Sequence, residues 1–453
     1  MSLMLVVLGG PWVLAGVLAF LDGRRPGVGW TAAVGLAGVL AACAALVPEA
    51  ASAHPPEFVT GKWPVGVGIR MRADMLSAVF CGVSVAVLLA ALVFELLRGV
   101  RTRTFPALVL FLAAGLNGAF LTGDAFNFYV FFELSMTAAF ALASYGGDPA
   151  HVRAAFTFVM VNLVGSVLFL SAVVMLYQLT GTLDMGGVSE WTRTEGARPL
   201  DVPGALLLSA LGVKVGLFPF HFWAPAVYRD TGPTVAALLA GALANLGSYG
   251  LLRFGGDVLP PMLEYGKEVL AVLGGVSIVY GSLLALSRRD AREVLAYASI
   301  AQAGLLLVAL GVGGARGLAA AVALALVGSV DKAALFLALG EEGRPSRAAF
   351  AVAAFSTAGV PLSAGFVAKA ALLRAALGTG QAVLAGLVVL SSALSLLALF
   401  RTWQHEPGEE ARHRWATGVW VLVLALTVVA AGAWPEPLLR ASELAASGLG
   451  GAR

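Results

Sequence analysis

Charge is scarce in this chain. Of 453 residues only 12% are charged and 59% are hydrophobic, against about 25% charged in a soluble domain. That balance excludes a water-soluble fold. Cysteine is nearly absent: Cys43 and Cys81 each lie inside an apolar run. There is no CxxC pair and no cluster of His with Cys, which argues against an iron–sulfur or zinc site built from this chain. We therefore expect no cofactor and no metal. No GxGxxG, no Walker A motif and no basic patch of nucleic-acid type occurs, so nucleotide and nucleic-acid partners are not expected. A cleavable leader is also missing, and the first apolar run, from Leu3 to Phe20, reads as a retained membrane helix. The net charge of +3 says little about partners, because most charges sit in loops.

What remains is apolar sequence with 55 glycines and abundant alanine, a composition suited to close helix–helix packing in lipid. About 20 apolar residues span a bilayer. That rule predicts an all-α polytopic membrane protein with about fourteen helices, at 3–20, 29–48, 74–97, 106–122, 125–144, 153–178, 203–221, 234–254, 266–287, 294–313, 316–340, 349–377, 381–400 and 415–434. Two longer connections, 49–73 and 179–202, contain Trp63 and Trp191 with mixed charge and are expected along the membrane interface. No linker splits off a soluble domain. We expect N-terminal helices over 1–105, a core over 106–400, and a cytoplasmic loop, last helix and tail over 401–453.

Orientation follows from loop arginines. Arg24 and Arg25, the group Arg98, Arg101 and Arg103, then Arg153, Arg229, the group Arg288, Arg289 and Arg292, Arg344 and Arg347, and finally Arg401, Arg412 and Arg414 all fall on one side. The bias places both termini outside the cytoplasm.

The informative charges are inside the apolar runs. The chain has five lysines, and three of them, Lys214, Lys332 and Lys369, fall within predicted helices, whereas the arginines sit almost wholly at loops and helix ends. An intramembrane lysine costs about 3 kcal/mol on insertion. A lysine can lose its proton when desolvated and an arginine in practice cannot. The stretch LLLSALGVKVGLFPFHFWAPAVY, residues 206–228, combines Lys214 with Pro219 five positions later and His221 just beyond. A proline there frees a backbone carbonyl that lipid cannot satisfy. In AFSTAGVPLSAGFVAKAALL the order is reversed: Pro361 comes first and Lys369 follows. Opposite order in two interrupted helices is what an inverted-topology repeat produces.

Carboxylates are fewer. Glu133 lies mid-helix in YVFFELSMTAAF, Asp331 adjoins Lys332, Asp74 begins the third helix and Asp124 precedes the fifth. Glu133 with Lys214 reads either as a static buried ion pair or as a proton-relay pair. Asp331 and Lys332 point to different helix faces, which strengthens a purely structural reading of that pair beside the proton-relay one. His221 reads equally as a relay or as a capping histidine.

Several segments in order then match one family. They are GKWPVGVGIRMRADMLSA (61–78), GDAFNFYVFFELSMTAAFALASY (123–145), GTLDMGGVS (181–189), KVGLFPFHFWAPAVY (214–228), LLAGALANLGSYGLLR (238–253), RDAREVLAYASIAQAG (289–304), DKAALFLALG (331–340) and STAGVPLSAGFVAKAALL (356–373). The chain resembles the antiporter-like membrane subunits shared by respiratory complex I, membrane-bound hydrogenases and Mrp-type cation/proton antiporters. The approach to the third helix and the GTLDM loop look most like the MrpD subunit.

The resemblance implies fourteen core helices with two inverted five-helix repeats, discontinuous at helices 7 and 12. It implies a proton path with Glu133 and Lys214 as gating pair, Lys332 mid-channel and Lys369 on the second broken helix. Two positions depart from the family pattern: Asn245 stands where a lysine is usual, and Gly328 where a histidine precedes the lysine by one turn. Asn245 can hold a water but carries no proton. The implied function is a proton-translocating subunit of a multisubunit Mrp-type Na+/proton antiporter, in the cell membrane, partnered by other membrane subunits, with no catalytic chemistry of its own. Two alternatives stay open. One is a membrane-arm subunit of an NADH:quinone or hydrogenase-type oxidoreductase, and the other is a non-conducting structural paralogue.

Overall fold

A computed structural model of the chain describes residues 2–64, 68–195, 200–404 and 415–449. Hydrocarbon offers no hydrogen-bond partners, so a spanning segment must satisfy its backbone within itself, and the helix does so. All fourteen apolar stretches are helical, two of them with an interruption. In chain order α1 is Ser2–Ala19, α2 Pro26–Ala50, α3 Met75–Arg98, α4 Phe105–Leu121, α5 Ala125–Ala143 and α6 Pro149–Thr180. A shorter helix, α7, covers Met185–Glu195. The first interrupted pair is α8, Asp201–Val215, with α9, Trp223–Asp230. Next, α10 at Pro233–Ala237 runs through a π-helical turn, Leu238–Leu243, into α11 at Ala244–Arg253. Then come α12, Pro260–Ser287, α13, Ala291–Val312, and α14, Gly314–Ala338. The second interrupted pair is α15, Arg344–Ala358, with α16, Ala364–Gly378, followed by α17, Ala382–Gln404, α18, Trp415–Ala433, and α19, Glu436–Ser447.

Among the described residues, twelve segments are long and apolar enough to cross a membrane, with Phe105–Leu121 as a shorter apolar helix. Arg412 and Arg414 of the expected cytoplasmic loop lie outside the described residues.

Helix starts are written in capping residues. Asp74 accepts the Ser77 amide at 3.0 Å, and Asp124 accepts the Asn127 amide at 2.7 Å. An N-cap carboxylate satisfies one of the free N–H groups of the first turn and favours the helix dipole. Asp74 and Asp124 are thus caps that set where α3 and α5 begin.

The two longer connections are more structured than composition alone indicates. Within 49–73, β1 (Glu57–Val59) pairs antiparallel with β2 (Arg70–Arg72), Phe58 facing Met71. Within 179–202, α7 buries Met185, Val188, Ser189 and Thr192 while exposing Glu190 and Arg193. The tail carries α19, too short to register as a span, which packs on α14 and α3.

The Pro233–Val258 segment is the bundle centre, with its most apolar stretch wholly buried, and α3, α13 and α14 are also largely enclosed. Around this centre, α12 and α13 make the most extensive helix pair. A Cβ on Gly274 would come within 2.8 Å of the Gly304 carbonyl, and one on Gly281 within 2.7 Å of the Tyr297 carbonyl. Small residues are required where backbones approach this closely.

One buried ionic cluster fastens the centre to its surroundings. The Arg253 guanidinium donates to Asp74 Oδ1 at 2.8 Å, to Asp257 Oδ2 at 3.0 Å and to the Tyr249 hydroxyl at 3.0 Å. Tyr249 in turn donates to the Phe120 carbonyl at 2.7 Å. The cluster ties α11 to α3 and α4. Removing one member of such a buried set strands the opposite charge and costs on the order of 3–5 kcal/mol. Arg253→Met should therefore lower the melting temperature of the detergent-purified protein markedly. Arg440→Met, which breaks only the exposed pair with Glu436, should leave it nearly unchanged.

Candidate functional site: buried lysines at two helix breaks

The first break is set by glycine as much as by proline. Helix α8 ends where Gly216 takes a left-handed conformation at φ 71°, three residues before Pro219. Lys214 therefore lies in the last turn of α8, not in the middle of a helix as the sequence predicts. A helix C-terminus carries partial negative charge and suits a cation. The break leaves polar backbone atoms that side chains satisfy. The Trp223 indole donates to the Val213 carbonyl at 2.9 Å, and the Phe218 amide donates to Ser277 Oγ at 3.1 Å. His221 occupies the turn, its ring 5.5 Å from Phe218 and 4.5 Å from Tyr280. Its Nδ1 is buried without a hydrogen-bond partner.

Lys214 is buried. Its ammonium stands 4.0 Å from the centre of the Phe132 ring and donates to the Asn162 carbonyl at 3.4 Å. A desolvated cation over an aromatic face gains about 2 kcal/mol. Glu133, the expected partner, makes no direct ion pair with it. Successive helical residues project about 100° apart, and Phe132 takes the position facing Lys214, leaving Glu133 to one side. Glu133 remains the carboxylate that acts on Lys214 electrostatically. Its Oε1 is buried and unpartnered, and so is Oδ1 of Asn162. Helix α11 closes the site from the centre, where a Cβ on Gly247 would lie 3.2 Å from Lys214 Cβ.

Asn245 is fully engaged through its amide. Its Nδ2 donates to Ser84 Oγ at 2.9 Å and to Ser329 Oγ at 3.0 Å, and Ser329 donates to the Gly241 carbonyl at 2.7 Å. It joins α11 to α3 and α14 just after the π-helical turn. Such turns recur at functional positions in helices. Lys332, on the same α14 as Ser329, is half-buried and makes no ion pair among the described residues.

The second break runs from Gly359, left-handed at φ 81°, through Pro361 to Ser363, which caps α16 by accepting the Phe366 amide at 3.2 Å. Lys369 lies in the second turn of α16. Its ammonium donates to the Ala358 carbonyl, released by the break, at 3.3 Å and to Ser392 Oγ at 3.1 Å. Facing it from α14 is Asp331, buried, whose Oδ2 accepts from Ser356 Oγ at 3.0 Å.

The structure thus brings Lys214 and Glu133 into one region, and Lys369, Asp331 and Lys332 into another, with Asn245 holding the helices between. His221 sits at the first break against aromatic rings. Asn162, Gln302 and Ser392 escape a reading of the sequence. A lone polar residue in an apolar helix is their only signal, and it does not say what they face.

These features define a class: a helical membrane protein whose titratable cations are placed at interrupted helices. Residues 122–345 match the family model described as NADH:quinone oxidoreductase/Mrp antiporter, TM. The D subunit of the Na(+)/H(+) antiporter of Bacillus subtilis is 30% identical over 79% of this chain and 78% of its own length. The N subunit of the NADH-quinone oxidoreductase of Desulforudis audaxviator is 30% identical over 91% of each. Among solved structures, a chain of the Mrp complex from Dietzia sp. superposes with a TM-score of 0.92 at 27% identity, covering 99% of this chain and 98% of that one. The membrane-bound sulfane sulfur reductase, an archaeal respiratory membrane complex, shares the fold with a TM-score of 0.87 at 23% identity. The chain belongs to the NADH:quinone oxidoreductase/Mrp antiporter transmembrane family.

Trp223→Phe tests the first break directly. It leaves the Val213 carbonyl without its indole donor and should cost about 1–3 kcal/mol, read as a lowered melting temperature with Lys214 still present.

Proposed function

We propose that this chain is the proton-translocating membrane subunit of a multisubunit Mrp-type Na+/proton antiporter. The observation that carries the reading is that Lys214, Lys332 and Lys369 are embedded in the bundle without direct ion pairs, two of them beside helix breaks. Fixed structural charges in this chain are treated differently, as Arg253 with its two carboxylates illustrates. The antiporter relative from Bacillus subtilis and the likeness to a chain of the Mrp complex support the same reading. The path would use Glu133, Lys214, Lys332 and Lys369, with His221 at the first break and Asn245 holding water or helix packing between them. A proton arriving near Glu133 changes the field at Lys214. The ammonium, held only by a carbonyl and a ring face, moves inward and displaces the proton of Lys332 toward Lys369. Other membrane subunits are its partners. We place it in the cell membrane with fourteen spans, both termini outside the cytoplasm, and residues 106–400 as the conducting core between 1–105 and 401–453.

A second reading has its own support. The oxidoreductase relative from Desulforudis audaxviator aligns with more of the chain at the same identity, which favours a membrane-arm subunit of an NADH:quinone oxidoreductase. Purifying the intact complex and identifying its subunits separates the two: small hydrophobic antiporter subunits support the first, iron–sulfur and flavin subunits the second.

Lys214→Ala should abolish cation/proton exchange in inverted vesicles while the complex stays assembled. Lys214→Arg should not restore it, because a guanidinium does not release its proton. Exchange at the unmodified rate in Lys214→Ala would sink the reading. Glu133→Ala should also lose transport, and retention there would favour a non-conducting structural subunit.

A further inference from the structure

Between α13, α14, α15 and α16 lies a small cavity of about 20 Å³, lined on its polar side by Gln302, Asp331, Ser356, Thr357 and Lys369, with Gly328 in its wall. Asp331 is only 1% exposed. One of its oxygens is bonded to Ser356, and the other, Oδ1, has no hydrogen-bond partner. The same is true of Thr357 Oγ1 and Gln302 Oε1. Three unpartnered polar atoms on the walls of one cavity describe a place for an ordered water. Buried polar groups are rarely left unsatisfied, and a polar void of roughly 10–15 Å³ or more admits a water molecule. Gly328 keeps the space open: a Cβ there would meet nothing nearer than Gln302 Oε1, at 3.5 Å.

The electrostatics converge on the same carboxylate. Two cations act on Asp331, Lys332 from its own helix and Lys369 from α16, while α13 and α15 present only the uncharged Gln302, Ser356 and Thr357. The Ser356 hydroxyl that donates to Asp331 also accepts the Gly365 amide at 3.2 Å, so the positive N-terminus of α16 backs the carboxylate. Lys369 bonds a carbonyl and a hydroxyl instead of Asp331. The carboxylate feels both ammonium groups and is locked by a direct ion pair to neither among the described residues.

We propose that Asp331, with water in the cavity beside Gly328, is the proton-carrying link between Lys332 and Lys369. In the transfer, an N–H bond of the Lys332 ammonium breaks, the proton passes through water, and an O–H bond forms on Asp331, leaving a neutral amine and a neutral acid. Once Lys369 has passed its own proton onward to water, the acid releases its proton through the cavity water to the resulting neutral amine, and Asp331 returns to its charged form. Asp331 and its water occupy the role for which a histidine at position 328 is the family expectation. The inference rests on the antiporter reading.

The test uses the intact complex in inverted vesicles, with subunit content measured alongside exchange. Asp331→Asn should reduce exchange to the background of vesicles lacking the complex. Asp331→Glu, which keeps a carboxyl, should retain exchange with its pH profile displaced. Gly328→Leu, which fills the cavity and leaves the carboxylate in place, should reduce exchange. Normal exchange in Asp331→Asn overturns the link. If Lys214→Ala is inactive in the same preparation, the antiporter reading survives that result; if both variants exchange normally, the reading falls as well. If Asp331→Asn does not assemble, the other two variants decide, and an unchanged rate and pH profile in both overturns the proposal.

Discussion

Lipid cannot hydrogen-bond to a peptide group, and this constraint governs everything unusual in the chain. Most of the sequence obeys it by forming unbroken helices. The two interruptions obey it by recruiting side chains. Trp223 covers Val213, Ser277 covers Phe218, and Lys369 covers Ala358. In the second case the group that satisfies the backbone is also a member of the proposed proton path. At the second break the released carbonyl gives the Lys369 ammonium somewhere to rest without a direct ion pair.

The same logic explains why the buried charges fall into two kinds. Arg253 is held by Asp74, Asp257 and Tyr249 with every bond short, and Glu95 is held by Tyr145 at 2.7 Å and Thr234 at 2.5 Å. These groups have one arrangement each and fasten helices. Lys214 instead sits on a ring face and a carbonyl, at the end of α8 where the dipole favours it. Lys369 sits near the other pole of its helix, and Asp331 offsets that disadvantage. The two lysines are thus stabilised by different means, a helix terminus in one half and a carboxylate in the other.

Much of this was legible in the sequence. Fourteen apolar runs became helices because periodicity and length suffice for that decision. Lys214, Lys332 and Lys369 stood out because charge in such runs is rare. Less visible were the features that depend on which helix faces which. Pro219 marked the first break, yet the helix stops at Gly216, where a left-handed turn is cheap. Glu133 and Lys214 looked like partners, yet Phe132 intervenes because helical geometry puts it on the facing side. Asp331 read as a neighbour of Lys332, with structural and relay roles both open. Its significance comes from α16 folding back against α14, a contact that no local pattern encodes. Gly328 departs from the family pattern in the sequence, and in the structure it stands in the wall of the small cavity beside Asp331.

Gly365 has a consequence for how anything at the second break can move. A Cβ at this position would collide with the Ser356 carbonyl, so α16 is pressed onto the end of α15 with no side chain between them. The two helices meet there at backbone distance. Lys369 can then be repositioned through its own flexible side chain without parting the two helices.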